Sequence, residues 1–197
     1  MKKQSTEFVG VVLAGGKSSR MGTDKALLEL DNKSMLERSV AILDDLGAAK
    51  VIVCRNEFST GFLPDIYPDL GPLSGIHTAI FETDLPVVVI PVDMPLLTSE
   101  TLSPLLKTGL LSQSACHFQH HPMPIFIPNN KEVRGYLERT LSVYKGDKSK
   151  VSIKRFLSYI GSVVLTIEQE DSLANANTPE QWQHYSTINR IQKLSKD

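Results

Sequence analysis

The chain has 197 residues, and its 21 Lys and Arg residues nearly balance its 22 Asp and Glu residues, giving a net charge of −1. With 41% hydrophobic residues it is typical of one globular domain, residues 1–197, and the near-neutral charge excludes a surface built for tight nucleic-acid binding. Cys54 and Cys116 belong to no CxxC pair, which argues against a disulfide framework or a structural zinc. No apolar run approaches the roughly 20 residues that cross a bilayer, so we expect a cytoplasmic protein without a membrane partner.

The first predicted element is a buried strand at Phe8–Leu13, because this β-branched apolar run lacks polar alternation. The strand leads into a glycine pair, Gly15 and Gly16. The capping box Ser34–Glu37 predicts the start of a helix that runs through residue 46. The other elements predicted in this half are a brief strand and a second buried strand, at 27–30 and 50–54.

The strongest strand pattern of the chain is Leu85–Val92, a nearly continuous apolar run that stops at Asp93. The last helix is predicted by a second capping box, Thr178–Gln181. Further helices are predicted at 75–82, 99–107 and 130–141, and further strands at 114–118, 125–127 and 162–167. Strands that alternate with helices predict an α/β fold, a three-layer sandwich around a mostly parallel sheet. Ligands of such sheets bind beyond the carboxyl ends of the strands, where the glycine pair and Asp93 both fall.

The segment after the first strand, Leu13–Lys25 (LAGGKSSRMGTDK), has the composition of a phosphate-binding loop. Adjacent glycines let the backbone approach an anion closely, and Arg20 and Lys25 add positive charge, so the segment fits a polyphosphate. Two common phosphate loops are excluded: the chain has no GxGxxG motif here, and a Walker A loop requires glycine at position 11, which is Val11.

Asp93 is the predicted ligand of Mg²⁺. A hard divalent cation prefers carboxylate oxygens, and an apolar strand delivers this one Asp to the ligand edge of the sheet. The alternative is that Asp93 only caps a helix or a turn before Met94 and Pro95.

The motif Leu-Ala-Gly-Gly-x-Ser-x-Arg-Met-Gly-x-Asp-Lys resembles that of the molybdenum cofactor guanylyltransferases, or molybdopterin-guanine dinucleotide synthases, of the nucleotidyltransferase superfamily. Three further matches follow in the family's order: Asp69–Gly75, Asp93–Pro95 and Asn175–Glu180. The resemblance implies a Rossmann-like sandwich of the nucleotidyltransferase type. It also implies an enzyme that uses Mg²⁺ to transfer GMP from GTP to the phosphate of molybdenum-loaded molybdopterin, with release of pyrophosphate.

The resemblance also assigns roles to individual residues. Arg20, Lys25 and Asp93 are the implied catalytic residues, with Asp93 on the metal. The nucleotide would be bound by Leu13, Ala14, Gly15, Gly16, Lys25, Asn56, Asp69, Gly75 and Asp93, and Asn175 and Asn177 would support the metal or the incoming phosphate. Two alternatives remain open, since Asp69 is equally typical of a turn and Asn177 of the loop before a capped helix. Cys54, Ser74 and Pro91 depart from the family pattern.

Two other functions compete with this one. A sister nucleotidyltransferase using CTP or another phosphorylated acceptor would need the same phosphate and metal machinery. A non-catalytic nucleotide-binding regulator of cofactor delivery would not need to keep Lys25 and Asp93. For the guanylyltransferase interpretation, the expected partners are GTP, molybdopterin and the molybdoenzymes or their chaperones.

Two further clusters are weaker candidates. A basic segment either attracts the molybdopterin phosphate or is solvated surface: Lys145, Lys148, Lys150, Lys154 and Arg155. A histidine cluster next to an expected loop lacks a Cys or carboxylate partner and is not expected to bind metal: His117, His120 and His121.

Overall fold

A computed structural model of the chain describes residues 6–15, 22–57, 60–143 and 151–194. Seven strands form one sheet in the order β5-β4-β1-β6-β8-β7-β9, and two short strands form a separate hairpin, β2-β3. The strands are β1 Val9–Leu13, β2 Glu29–Leu30, β3 Lys33–Ser34, β4 Lys50–Cys54, β5 Phe62–Leu63, β6 Val87–Pro91, β7 Ala115–Phe118, β8 His121–Ile127 and β9 Ser162–Leu165. Four of the six neighbouring pairs in the large sheet are parallel, and β8 runs antiparallel to both of its neighbours.

Helices cover both faces of this sheet. They are α1 Met35–Asp45, α2 Pro72–Phe81, α3 Ser99–Ser112, α4 Lys131–Ser142, α5 Ile153–Ile160 and α6 Pro179–Leu194, with 3₁₀ turns at Lys25–Leu27 and Glu170–Leu173. Val9, Val11 and Leu13 of β1 pack with α2, α4 and α5, whereas Val12 packs on the other face with α1 and α3. Successive side chains of a strand point to opposite faces, so the uninterrupted apolar pattern of β1 supplies both cores. The expected three-layer α/β sandwich is confirmed.

One glycine in α3 allows this helix to lie directly against the sheet. A Cβ built on Gly109 would come within 2.2 Å of the Phe126 ring in β8, and Phe126 is fully buried. By contrast, a Cβ on Gly135 of α4 would meet only the end of the Arg139 side chain, at 2.9 Å. The first position requires glycine for close approach, whereas the second does not.

Several predicted boundaries differ from the structure. The histidine cluster is not followed by a loop: β8 begins at His121, and Pro122 and Pro124 are accommodated because only Ile125–Ile127 of this strand pair with β6. Two helices are longer than predicted, α2 beginning at Pro72 and α3 ending at Ser112. In the described part of the chain, no helix has the length and apolarity to cross a membrane.

The helix α5 was not predicted, because this stretch of the sequence was interpreted as part of a basic segment. Its Ile153, Phe156 and Leu157 are buried at helical spacing after the N-cap Ser152, and this pattern in the sequence would have revealed it. Lys154 and Arg155 lie on its exposed face.

The three central parallel strands end in register. Leu13 of β1 is paired with Cys54 of β4 on one side and with Pro91 of β6 on the other. Because parallel strands present their carboxyl ends at one edge, the residues that follow these three positions meet there. Pro91 is the last residue of its strand, where its missing N–H does not interrupt the ladder.

Candidate active site

A cleft of about 730 Å³ opens at the carboxyl ends of β1, β4 and β6. Predicted site residues that line it are Leu13, Ala14, Gly15, Lys25, Asn56, Asp69, Gly75, Asp93, Asn175 and Asn177. Gly16 and Arg20, also predicted, lie outside the described residues. The fold therefore brings together side chains that are as far apart in sequence as positions 13 and 177.

Lys25 is the central cation of the cleft. It begins a 3₁₀ turn whose N-cap is Asp24, and the Asp24 carboxylate accepts a hydrogen bond from the Ala26 N–H at 3.0 Å. The Lys25 ammonium donates to Asp93 Oδ2 at 2.9 Å and to Asn177 Oδ1 at 2.6 Å. An ammonium has three N–H donors, so its two contacts within the described part of the chain leave one for a ligand.

Asp93 and the two asparagines form a connected polar group with Lys25. Asn175 donates from Nδ2 to Asp93 Oδ1 at 2.6 Å, and the backbone N–H of Ala176 donates to the Asp93 carbonyl at 2.8 Å. The loop 174–177 is thereby fixed to the residues that follow β6. Ala176, which separates the two asparagines in the sequence, is buried. Asp93 therefore does more than terminate a strand.

The loop continues directly into α6 and caps that helix, while the expected support of a metal or phosphate by Asn175 and Asn177 stays a prediction. Thr178 Oγ1 accepts from the Gln181 N–H at 3.3 Å, as a capping residue does. The reciprocal bond is displaced by one residue, because Gln181 Oε1 accepts from the N–H of Asn177 at 2.8 Å. Asn177 thus helps to start the helix with its backbone while its side chain contacts Lys25.

A second carboxylate, which the sequence analysis missed, lies on the far side of the cleft. Asp65 Oδ2 accepts from Asn56 Nδ2 at 3.0 Å, and its own N–H donates to Asn56 Oδ1 at 2.7 Å. Its Oδ1 lies 3.5 Å from the position that a Cβ on Gly75 would occupy. Burial raises the pKa of Asp65, the hydrogen bond from Asn56 opposes this, and the nearby charge of Asp69 raises the pKa further. The signal available in the sequence was an acidic residue two positions after a strand-forming pair, 62–63.

Gly75 and Cys54 line the cleft beside Asp65. A side chain at Gly75 would approach Leu13 Cδ2 to 2.7 Å and Cys54 Cβ to 3.3 Å. Cys54 donates from Sγ to the Gly75 carbonyl at 3.3 Å, and burial raises its pKa to about 12, so the thiol stays protonated. The Ala14 N–H donates to the Cys54 carbonyl at 3.0 Å, and this hydrogen bond joins the ends of β1 and β4.

Asp69 lines the cleft at its exposed rim, in a left-handed backbone conformation with φ of 63°. That conformation fits the turn interpretation of this residue. Its expected contact with the base stays a prediction.

Arg55, Asp24 and Glu57 form an ion-pair group that the sequence analysis also missed. The Arg55 guanidinium donates to Asp24 Oδ2 and, at 2.6 Å, to Glu57 Oε2. Arg55 is only 7% exposed, although it follows β4 at the rim of the cleft. Burial alone lowers its pKa, but the hydrogen bonds to the two carboxylates outweigh this and raise it.

The donor set suits Mg²⁺ bound together with a phosphorylated substrate. Within the described ranges, no group of three or more His, Cys, Asp and Glu residues is placed to enclose a metal ion. Magnesium instead commonly binds to one or two carboxylates and to substrate phosphates, and Asp93 beside Asn177 offers one carboxylate and one amide oxygen. Lys145, Lys148 and Lys150 of the basic segment lie outside the described residues.

Lys25, Asp93, Asn175 and Asn177 thus lie together at the carboxyl edge of an α/β sheet, an arrangement typical of the nucleotidyltransferase class. The sequence model of the MobA-like NTP transferase domain matches residues 10–163. The chain belongs to this family, and the enzyme is a nucleotidyltransferase.

Individual relatives agree with this assignment. The molybdenum cofactor guanylyltransferase of Xanthomonas euvesicatoria pv. vesicatoria is 37% identical over 89% of this chain and 92% of the relative. That of Photobacterium profundum is 28% identical over 89% of this chain and 93% of the relative. The crystal structure of molybdopterin-guanine dinucleotide biosynthesis protein A from Archaeoglobus fulgidus is 21% identical, with a TM-score of 0.75 over 93% of this chain and 100% of that chain. This last similarity supports the fold, and the expected resemblance to the family is confirmed.

Proposed function

We propose that the protein transfers GMP from GTP to the phosphate of molybdenum-loaded molybdopterin and releases pyrophosphate. The observation that carries the proposal is the arrangement of the cleft, with the Lys25–Asp93–Asn177 group on one side and the Asp65–Asn56 pair on the other. The first group suits phosphates and a metal, and the second suits a base. The names of the relatives at 37% and 28% identity support the choice of substrates.

In this reaction an oxygen of the acceptor phosphate forms a bond to the α-phosphorus of GTP. The bond from that phosphorus to the bridging oxygen of the β-phosphate breaks, and pyrophosphate leaves in line. Lys25 would contact the phosphates with its third N–H, while Asp93 and Asn177 hold its ammonium in place. Arg20 and the Gly15–Gly16 backbone are proposed to contact the same phosphates.

Asp93 and Asn177 would hold Mg²⁺, with Asn175 orienting the Asp93 carboxylate through its hydrogen bond. When bound, Mg²⁺ supplies positive charge that stabilises the departing pyrophosphate. Lys25 adds a second positive charge at the same place, where a fixed donor is most effective against charge that develops during the reaction.

Guanine selectivity is proposed to come from Asp65. Guanine presents N–H donors on N1 and N2, and the Asp65 carboxylate is a half-buried acceptor fixed by Asn56. Adenine lacks this pair of donors, so its binding would leave the half-buried carboxylate without them, at a cost near the lower end of about 1–3 kcal/mol. Leu13, Ala14, Gly75 and Asp69 would surround the base and the ribose.

The experiment is to incubate the protein with Mg²⁺ and each nucleoside triphosphate in turn, with and without molybdenum-loaded molybdopterin, and to measure pyrophosphate. Release that requires both GTP and the acceptor supports the proposal. Faster release from CTP would contradict guanylyl transfer. GTP binding without any release would instead favour the non-catalytic regulator of cofactor delivery.

A further inference from the structure

Arg55 links two elements of the cleft that are not neighbours in sequence. Its backbone follows β4, where its N–H donates to the Leu63 carbonyl at 3.1 Å, and its side chain lies 5.6 Å from the centre of the Phe62 ring. The base of this side chain is therefore fixed to the sheet. Its guanidinium then reaches the Asp24 carboxylate in the turn that carries Lys25.

Asp24 uses its two oxygens for two different contacts. Oδ1 accepts from the Ala26 N–H at 3.0 Å and caps the 3₁₀ turn, while Oδ2 accepts from Arg55. Asp24 is thus both part of the Lys25 turn and the point at which this turn is attached to β4. We propose that Arg55 is a positioning residue that, through Asp24, sets the place of the Lys25 ammonium in the cleft. This inference rests on the proposed function only in taking Lys25 as a ligand of the substrate phosphates.

Arginine is required here by geometry as well as by charge. Nε donates to Glu57 and Nη2 to Asp24, so two edges of one planar group are fixed by two carboxylates. A lysine ammonium keeps the charge but is a single point at the end of a flexible chain, so it cannot reproduce this fork. Among the described residues, Nη1 of Arg55 is buried without a hydrogen-bond partner, so the contacts that orient the guanidinium there are those of the other two nitrogens.

The expected consequence is a loss of rate rather than a loss of fold. Displacing a catalytic group by about 1 Å costs on the order of 10²-fold in rate, so Arg55→Lys should lower kcat by about 10- to 100-fold. The KM for GTP should change less, because Asp65 and Asn56, the proposed contacts of the base, are not substituted.

The test is a double-mutant cycle between Arg55→Lys and Lys25→Ala, with kcat measured from pyrophosphate release. If Arg55 acts through Lys25, Arg55→Lys lowers kcat in the wild-type background but has no further effect on Lys25→Ala. Equal fold-losses in both backgrounds would show a merely structural role and overturn the proposal. Asp24→Asn keeps the cap acceptor and weakens the link to Arg55, so it should reproduce the loss without adding to it, and it serves as the test if Arg55→Lys fails to fold.

Arg134→Lys is the matched control. Arg134 also pairs with a carboxylate, Asp84, at 3.1 Å, and lies 5.1 Å from the centre of the Phe81 ring, but it does not line the cleft. Its substitution should leave kcat within about twofold of wild type, because Arg134 does not line the cleft. Its effect on the free energy of unfolding should also be small, since an exposed ion pair contributes less than about 1 kcal/mol to stability. A loss comparable to that of Arg55→Lys would overturn the proposal, because it would show that any such substitution impairs the enzyme.

A binding measurement separates this inference from the proposed function. Calorimetry with inorganic pyrophosphate should show weaker binding to Arg55→Lys than to wild type, and equal binding to Lys25→Ala with or without the second substitution. If the wild-type protein releases no pyrophosphate from GTP, the proposal of guanylyl transfer is wrong. The pyrophosphate-binding measurements then test the positioning role of Arg55 by themselves. Unchanged pyrophosphate affinity in Arg55→Lys would refute its positioning role whatever the nucleotide.

Discussion

Asp93→Asn is the substitution that most directly tests the proposed chemistry. The wild-type carboxylate accepts from Lys25 at Oδ2 and from Asn175 at Oδ1, at 2.9 and 2.6 Å. An amide has one oxygen and an NH₂ group, so one of the two donors must face another donor in the variant. The substitution also removes the negative charge that a hard divalent cation prefers.

The structure gives different magnitudes for stability and for activity. The Lys25 and Asp93 side chains are each 18% exposed, so their pair lies between surface pairs, worth less than about 1 kcal/mol, and fully buried ones, whose disruption costs about 3–5 kcal/mol. We expect Asp93→Asn to lower the free energy of unfolding by about 1–2 kcal/mol. Turnover should fall by about 10²–10³-fold, the loss typical of removing one electrostatic contact to a transition state.

The assay measures pyrophosphate release at saturating GTP and acceptor over a range of Mg²⁺ concentrations, together with thermal unfolding. Asp84→Asn is the control, because Asp84 precedes the same strand, β6, at the opposite end and its side chain is fully exposed. It should leave turnover and stability unchanged. Wild-type turnover by Asp93→Asn at high Mg²⁺ would refute the metal-binding role, and an equal loss in both variants would refute a local effect.

Three other substitutions test separate parts of the description. Lys25→Ala should lower kcat by about 10²–10³-fold while Lys33→Ala, an exposed lysine of β3, changes it less than about twofold, as measured by steady-state kinetics. Asp65→Asn should reduce the preference for GTP over ATP. Because the pKa of Asp65 is raised, its carboxylate becomes protonated at a higher pH than that of an ordinary Asp, and wild-type GTP binding should weaken as the pH falls through that range. This pH dependence should vanish in the variant. Gly109→Ala should lower the free energy of unfolding by about 1–3 kcal/mol because its Cβ overlaps a buried ring, whereas Gly135→Ala should raise it by up to about 1 kcal/mol, and denaturant titration distinguishes the two.

The parts of the fold that sequence predicts well are those whose pattern is local. The strand β1 is an apolar run, β4 is one after its first residue, Lys50, and α1 begins at the capping box of Ser34 and Glu37, which is present in the structure. The start of β8 was missed because prolines normally interrupt a strand, and only the missing β6 partner over residues 121–124 makes them acceptable. Whether a strand position has a neighbour depends on the sheet order, which no local pattern contains.

The same limit applies to the candidate site. Lys25, Asp93 and Asn177 were predicted together because each ends or follows a recognisable element and the motif names them. Asp65 and Arg55 were not, because their roles depend on contacts across the sheet edge, with Asn56 and Asp24 respectively. A buried arginine is conspicuous only once its two carboxylates are seen beside it.

The charge of the cleft explains why the position of Lys25, the residue proposed to bind the phosphates, should matter. Among the described residues that line it, five are carboxylates and only two, Lys25 and Arg55, are cations. Arg55 is already paired with two of those carboxylates, which balance its charge, so Lys25 is the cation there that we propose to contact a phosphate. Since both proposed substrates are anions, further positive charge must come from Mg²⁺ bound with the triphosphate, or from Lys17 and Arg20 in the glycine-rich loop. Small displacements of Lys25 therefore matter more here than they would in a cleft rich in cations.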